Sequence, residues 1–321
     1  MAARKTKWFL IILSIIIVLG LMWGVAFFIG SGSLSGGAAY DDFEEEIVEE
    51  GTSTQKIAMI NVVGEIFSDP DRSSAGASDS NIIAQLDRAE QDDDVAGVLI
   101  NLETPGGGVV ASDAIYRRVL ELKKDGKPVV AMMGDVAASG GYYIAAAADE
   151  VVAHPSTWTG SIGVIAFLPN VEKATEKIGV EITVLKSGAF KDAGSPFRAL
   201  SDEDRRLFQS LIDEAHSDFV KAVSDGRKLD EQRVRGLADR RIYSGRQAFD
   251  AKLVDHLGGR DLAFQRVKDL TDAPDASLVL YRSPSGLTDL LGVTAARVSG
   301  STLKKELGLP RRPGVSYLWL P

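Results

Sequence analysis

Met133-Gly134-Asp135-Val136-Ala137-Ala138-Ser139-Gly140-Gly141-Tyr142-Tyr143 sets a serine between small residues, after a β-like run and ahead of an alanine-rich helix. A strand that turns through glycines into a helix is the joint of an α/β chain. At such a joint the serine hydroxyl stands where the first N–H groups of the coming helix are unpaired and attract negative charge. An acyl-transfer nucleophile needs that setting: an exposed oxygen with a donor beside it for the developing oxyanion. A glycine-rich helix start packed on a sheet, with Ser139 as a simple N-cap, accounts for the same letters.

Upstream, Val95 to Leu102 reads as a buried strand, and Glu103-Thr104-Pro105-Gly106-Gly107-Gly108-Val109-Val110 follows it, leading into a helix from Ser112 to Lys124. Pro105 with three glycines forms a turn in which main-chain N–H groups can approach a ligand closely. The Lys-Ser/Thr that ends a phosphate-binding Walker loop is absent, and the G-x-G-x-x-G spacing of a dinucleotide fold is not met. An oxyanion hole and a bare tight turn both remain.

Further strands are expected at Ile57–Val63, Pro128–Met133, Glu150–Ala153, Ile162–Phe167 and Glu181–Leu185, and a helix at Asn81–Glu90. This β/α alternation implies an α/β fold with a mainly parallel sheet. Right-handed crossovers then bring both glycine-rich loops to one sheet edge. Ser201-Asp202-Glu203-Asp204 starts a helix that runs to about Asp225, with shorter helices from Glu231, Gly245 and Asp261.

Four motifs in order carry a resemblance: Thr104-Pro-Gly-Gly-Gly108, Ala137-Ala-Ser-Gly-Gly-Tyr-Tyr143, Thr159-Gly-Ser-Ile-Gly-Val164 and Lys186-Ser-Gly-Ala-Phe-Lys-Asp192. Over roughly residues 55 to 285 the chain resembles the signal peptide peptidases of serine peptidase family S49, in the ClpP/crotonase fold group. The resemblance implies a repeated β-β-α/βα spiral and a Ser/Lys dyad. Matched residue by residue, Ser139 is the nucleophile, Lys191 the general base and proton donor, and Ser161 a support for the lysine amine. Analogy within the fold group makes the Gly107 and Gly140 N–H groups the oxyanion donors. Glu103 and Asp192 are expected to point away, since a carboxylate would oppose an oxyanion or hold a lysine charged.

The chain has no cysteine, which excludes a thiolate nucleophile, and only three histidines. His216 and His256 read as ordinary surface residues, while His154, after Val151-Val152-Ala153, is the alternative base. Lys186 competes with Lys191 for the same role. A lysine base must be neutral, a state that burial favours.

A net charge of −9 over 321 residues argues against nucleic acid as partner. Arg4, Lys5 and Lys7 precede a stretch without charge up to Asp41, and Phe9 to Ile29 as a helix would be about 31 Å long, close to a bilayer core. Residues 8–30 are therefore expected to be a single transmembrane anchor, with 1–7 cytoplasmic and the remainder outside. A cleaved signal peptide is the rival, with small residues at Gly37-Ala38-Ala39. Residues 31–55 form a flexible linker that includes seven acidic residues between Asp41 and Glu50, followed by a peptidase domain over 56–285.

The tail, 286–321, ends in Val315-Ser316-Tyr317-Leu318-Trp319-Leu320-Pro321, too apolar to remain free in water. It docks on its own domain or a neighbour, or lies as a strand in a peptide groove and competes with substrate. The resemblance further implies a ring-shaped homo-oligomer and a serine endopeptidase acting on remnant signal peptides and other apolar or unfolded peptides at the outer face of the cell membrane. It implies no metal, nucleotide or organic cofactor. Two other classes share this frame, a crotonase-like acyl-thioester enzyme and a non-enzymatic membrane scaffold.

Overall fold

The computed structural model describes residues 43–69, 77–282 and 315–318. In chain order these form β1 (Glu44–Glu49), β2 (Lys56–Val63), α1 (Asp79–Gln91), β3 (Val95–Thr104), β4 (Gly106–Gly108), α2 (Val109–Lys124), β5 (Val129–Ala138), α3 (Gly140–Ala145), β6 (Glu150–Ala153), β7 (Trp158–Gly160) and β8 (Ile165–Ala166). Next come α4 (Glu172–Lys177), α5 (Asp202–Arg227), α6 (Glu231–Leu237), β9 (Ile242–Ser244), α7 (Gly245–Asp250), β10 (His256–Leu257), α8 (Arg260–Thr271), β11 (Ser277–Arg282) and β12 (Val315–Leu318).

The main sheet runs β1-β11-β2-β3-β5-β6-β10, with β7 and β9 branching from β5. All pairings from β11 through β10 are parallel, and so is β5 with β7; β1–β11 and β7–β9 are antiparallel. Its central strands are apolar on both faces because both faces are covered, as parallel sheets require. Ala58, Ile60, Val98, Ile100, Val129 and Ala131 face the core formed with α1, α2 and α3. Their alternates Ile57, Met59, Leu99 and Val130 face the core closed by Ala263, Phe264 and Val267 of α8.

The expected strands at the sheet centre are present, and β3 and β5 extend further, to Thr104 and Ala138. That extension carries both glycine-rich loops to the same edge. Two expectations fail. Glu181–Leu185 is not a strand: its alternating letters find no partner strand, and Ile182, Val184 and Leu185 stay exposed. Ile162–Phe167 yields only the two residues of β8, because Gly163 and Val164 cross from one sheet to the other. The acidic stretch placed in the linker also differs, since Glu44–Glu49 pairs with β11 as an edge strand. Lys56 explains how that charge is tolerated, with its Nζ 2.9 Å from Glu45 and 3.1 Å from Asp92.

A second, small sheet is ordered β4-β12-β8, with β12 antiparallel to both neighbours. Among the described residues no helix is long and apolar enough to cross a membrane. The expected anchor at 8–30 lies outside the described residues, as do 1–7, 31–42 and most of the tail.

Candidate active site

The Thr104–Gly108 loop is locked by hydrogen bonds rather than by side-chain packing. Thr104 Oγ1 accepts from Gly106 N–H at 3.0 Å and donates to Gly64 O at 2.6 Å. Ile66 grips the next turn, donating from its N–H to Gly106 O and accepting from Gly108 N–H, both at 2.9 Å. Glycine is required here: a Cβ at Gly107 would lie 1.9 Å from Ile66 O.

β5 delivers Ser139 to the same place. Its φ of 53° and ψ of −114° form a strained joint between strand and helix, of the kind that a structure retains at functional sites. Ser139 N–H donates to Gly160 O at 2.8 Å and Ser139 O accepts from Tyr143 N–H at 2.8 Å. The hydroxyl has one long contact, 3.5 Å to Gly163 O. The loop that holds these carbonyls contains Ser161, also at positive φ (49°), whose N–H donates to Arg241 O.

A Cβ added at Gly140 would lie 3.2 Å from Gly107 N, so the two expected oxyanion donors border one small volume. Into that volume projects Tyr317 O of β12, 2.1 Å and 3.2 Å from the Cβ positions of Gly106 and Gly140. An extended peptide thus already runs past Ser139, paired with Gly106–Gly108 on one side and Ile165–Ala166 on the other. Ser139 is 1% exposed under this cover.

The Tyr317 side chain enters an aromatic pocket. It stacks on Tyr143 (centroids 5.0 Å apart), meets Phe219 at 4.7 Å and donates its hydroxyl to Ala215 O at 2.9 Å. Tyr143 is fixed in turn by a 2.9 Å bond from its hydroxyl to Asp113. Burial, then the neighbouring Tyr317 and Asp113, push the Tyr143 phenol well above its ordinary range, so it remains a donor. A cavity of about 440 Å³ continues from this pocket past Val109 and Leu120.

Ser139, Gly107, Gly140 and the Ser161 loop thus come together. Lys191 forms no hydrogen bond with them: its side chain is exposed and without a hydrogen-bond or ion-pair partner among the described residues. Lys186 is committed elsewhere, with its Nζ 2.7 Å from Asp192 and 3.1 Å from Ala189 O. Asp192 also accepts from Arg198, which together with Lys186 holds its carboxyl far below the usual range. Glu103 accepts from the Asp135 and Val136 N–H groups, so its charge serves the β5 backbone. His154 is exposed and accepts from Ser156 N–H, His216 meets Ala238 O, and His256 meets Glu150. The sequence reading missed Ser112 and the Tyr143–Phe219 pocket.

The family model of peptidase family S49 matches residues 121–274, and that of Clp protease matches residues 57–158. A candidate signal peptide peptidase SppA of Enterococcus faecium is 36% identical over 247 residues, 76% of this chain and 72% of its own. Protease 4 of Haemophilus influenzae is 32% identical over 84% of this chain and 45% of its own length. The chloroplastic serine protease SPPA of Arabidopsis thaliana is 34% identical over 63% of this chain and 30% of its own. Identity at this level over most of a relative's length is common descent, and the chain belongs to peptidase family S49, as a serine endopeptidase.

Proposed function

We propose that the chain hydrolyses extended, apolar peptides at a membrane surface through a Ser139/Lys191 dyad. Ser139 Oγ attacks the scissile carbonyl while Lys191, unprotonated, takes its proton. Collapse of the tetrahedral intermediate returns that proton to the leaving amine, and water then releases the acyl-enzyme. The N–H groups of Gly107 and Gly140 hold the oxyanion, and Ser161 steadies the lysine amine. The observation that carries this reading is β12: a strand added between β4 and β8, with a carbonyl between Gly106 and Gly140, is how a peptide substrate would lie.

Lys191 is supplied by a neighbouring copy in a ring-shaped homo-oligomer. Its exposure supports this, as do the exposed apolar side chains of the same segment between β8 and α5, including Phe167, Ile178, Leu185 and Phe190. Apolar surface of that extent is characteristic of an interface, and burial there favours a neutral lysine. Residues 8–30 anchor the chain, with residues 1–7 cytoplasmic and the domain of 56–285 outside, where remnant signal peptides and unfolded chains are the substrates.

Hydrolysis of an internally quenched apolar peptide by the full chain in detergent tests the proposal. Activity should be lost in Ser139→Ala and in Lys191→Ala, each still assembled, and partly recovered when the two are mixed and reassembled. No recovery on mixing, with subunit exchange demonstrated, would return the lysine to its own protomer. Full activity in either single variant would refute the dyad.

A further inference from the structure

Ser112 lies in the first turn of α2, directly after the glycine loop, and is fully buried. Its Oγ has no hydrogen-bond partner among the described residues. A buried hydroxyl without a partner loses its water and receives nothing in exchange, so such groups are rare and call for a reason. Alanine would fit the same space without that penalty.

Its location supplies the reason. The Cβ position of Gly140 is 2.5 Å from Ser112 Oγ, 3.2 Å from Gly107 N and 3.2 Å from Tyr317 O. The orphan hydroxyl, one expected oxyanion donor and the carbonyl that occupies the hole thus crowd one point. A Cβ at Gly140 would force the Ser112 hydroxyl to turn away.

We infer that the Ser112 hydroxyl is a third donor of the oxyanion hole, engaged only when the carbonyl carbon becomes tetrahedral. As the Ser139 Oγ–C bond forms, the carbonyl π pair moves onto oxygen, and that oxygen gains charge and shifts position. Ser112 then donates a hydrogen bond to it and keeps its own proton. In the ground state the hydroxyl is idle, which is the condition for a contact that accelerates the reaction rather than tightening substrate binding. The inference rests on Ser139 as nucleophile.

The test compares the full-length wild type with Ser112→Ala at matched assembly. Removing an unpartnered buried hydroxyl should leave folding intact; Ser112→Cys, similar in size with a weak S–H donor, is the second variant. In Ser112→Ala, kcat should fall about 100-fold, the lower range for loss of one oxyanion donor, with KM changed less than about threefold. A peptide aldehyde, which forms a tetrahedral adduct with the serine, should lose affinity by a similar factor. The uncleaved peptide should bind Ser139→Ala and Ser139→Ala/Ser112→Ala equally. Ser112→Cys should fall between serine and alanine. Equal kcat and equal aldehyde affinity in wild type and Ser112→Ala would overturn the inference while leaving the nucleophile in place. A wild type that hydrolyses peptide but forms no adduct at Ser139 would instead overturn the reading beneath it.

Discussion

Gly106 holds the Thr104–Gly108 loop at φ +96°, where an L side chain is strained, and its Cβ position lies 2.1 Å from Tyr317 O and 2.6 Å from Gly140 N. Gly106→Ala should therefore block the carbonyl's seat as well as strain the turn by about 1–2 kcal/mol. We expect phosphonate labelling of Ser139 to drop at least about tenfold with a modest fall in Tm; labelling at the wild-type rate would show that the carbonyl sits elsewhere. Glu103 separates structure from chemistry. Glu103→Ala leaves the exposed Asp135 and half-buried Val136 N–H groups to water, costing about 1 kcal/mol. Its Tm should fall, and labelling of the folded fraction should be unchanged. Ser139 stood out in the sequence because small residues flank it at a strand-to-helix joint; the letters left nucleophile and N-cap both open, and the structure gives its side chain no capping hydrogen bond. Ser112 did not, because a buried serine early in a helix reads the same whether or not it has a partner.

The loop between α4 and α5 is tied to the helix by one arginine. Arg198 donates to Asp192 and to Asp204, and Asp204 also caps α5 by accepting from Ser201 N–H. The guanidinium, helped by that N–H, lowers the Asp204 carboxyl from 3.8 to about 2. A carboxyl lowered on folding stabilises the folded state at pH values above its unfolded pKa, and the gain is lost as pH falls through the folded value. The contribution should thus be complete above about pH 4 and vanish on descent through about pH 2. Arg198→Ala should lower Tm at pH 7 and flatten its dependence on pH between 4 and 2, read by calorimetry; an unchanged acid slope would dismiss the clamp.

β12 fills the groove between β4 and β8. Deleting residues 314–321 should raise both the labelling rate and peptide hydrolysis, because the groove no longer holds its own strand. Tyr317→Ala should do so partly, by emptying the Tyr143–Phe219 pocket; no increase in either variant would show that the strand does not compete. Element order in the sheet centre could be read from sequence because buried parallel strands are continuous apolar runs. Glu181–Leu185 misled because alternation records which faces are apolar, not whether a partner strand exists. Glu44–Glu49 misled because a charged edge strand is paid for by distant partners, Lys56 and Arg282.

For the molecule as a whole, a parallel sheet collects at one edge the loop after β3, the joint after β5 and the crossing between β7 and β8. Ser139, Gly107 and Gly140 meet in one copy, and Lys191 is exposed on a segment rich in uncovered apolar side chains. No sequence pattern distinguishes a side chain that meets its own core from one that meets a second copy, which is why Lys191 could be matched by motif but not located by reasoning. Fluorophosphonate labelling of the assembled full-length chain, with the adduct mapped by mass spectrometry, asks whether Ser139 reacts and whether Lys191 activates it. A single adduct on Ser139, absent in Ser139→Ala and lost in Lys191→Ala, is expected; an adduct on another residue, or undiminished labelling of Lys191→Ala, would show that the reaction does not use this pair.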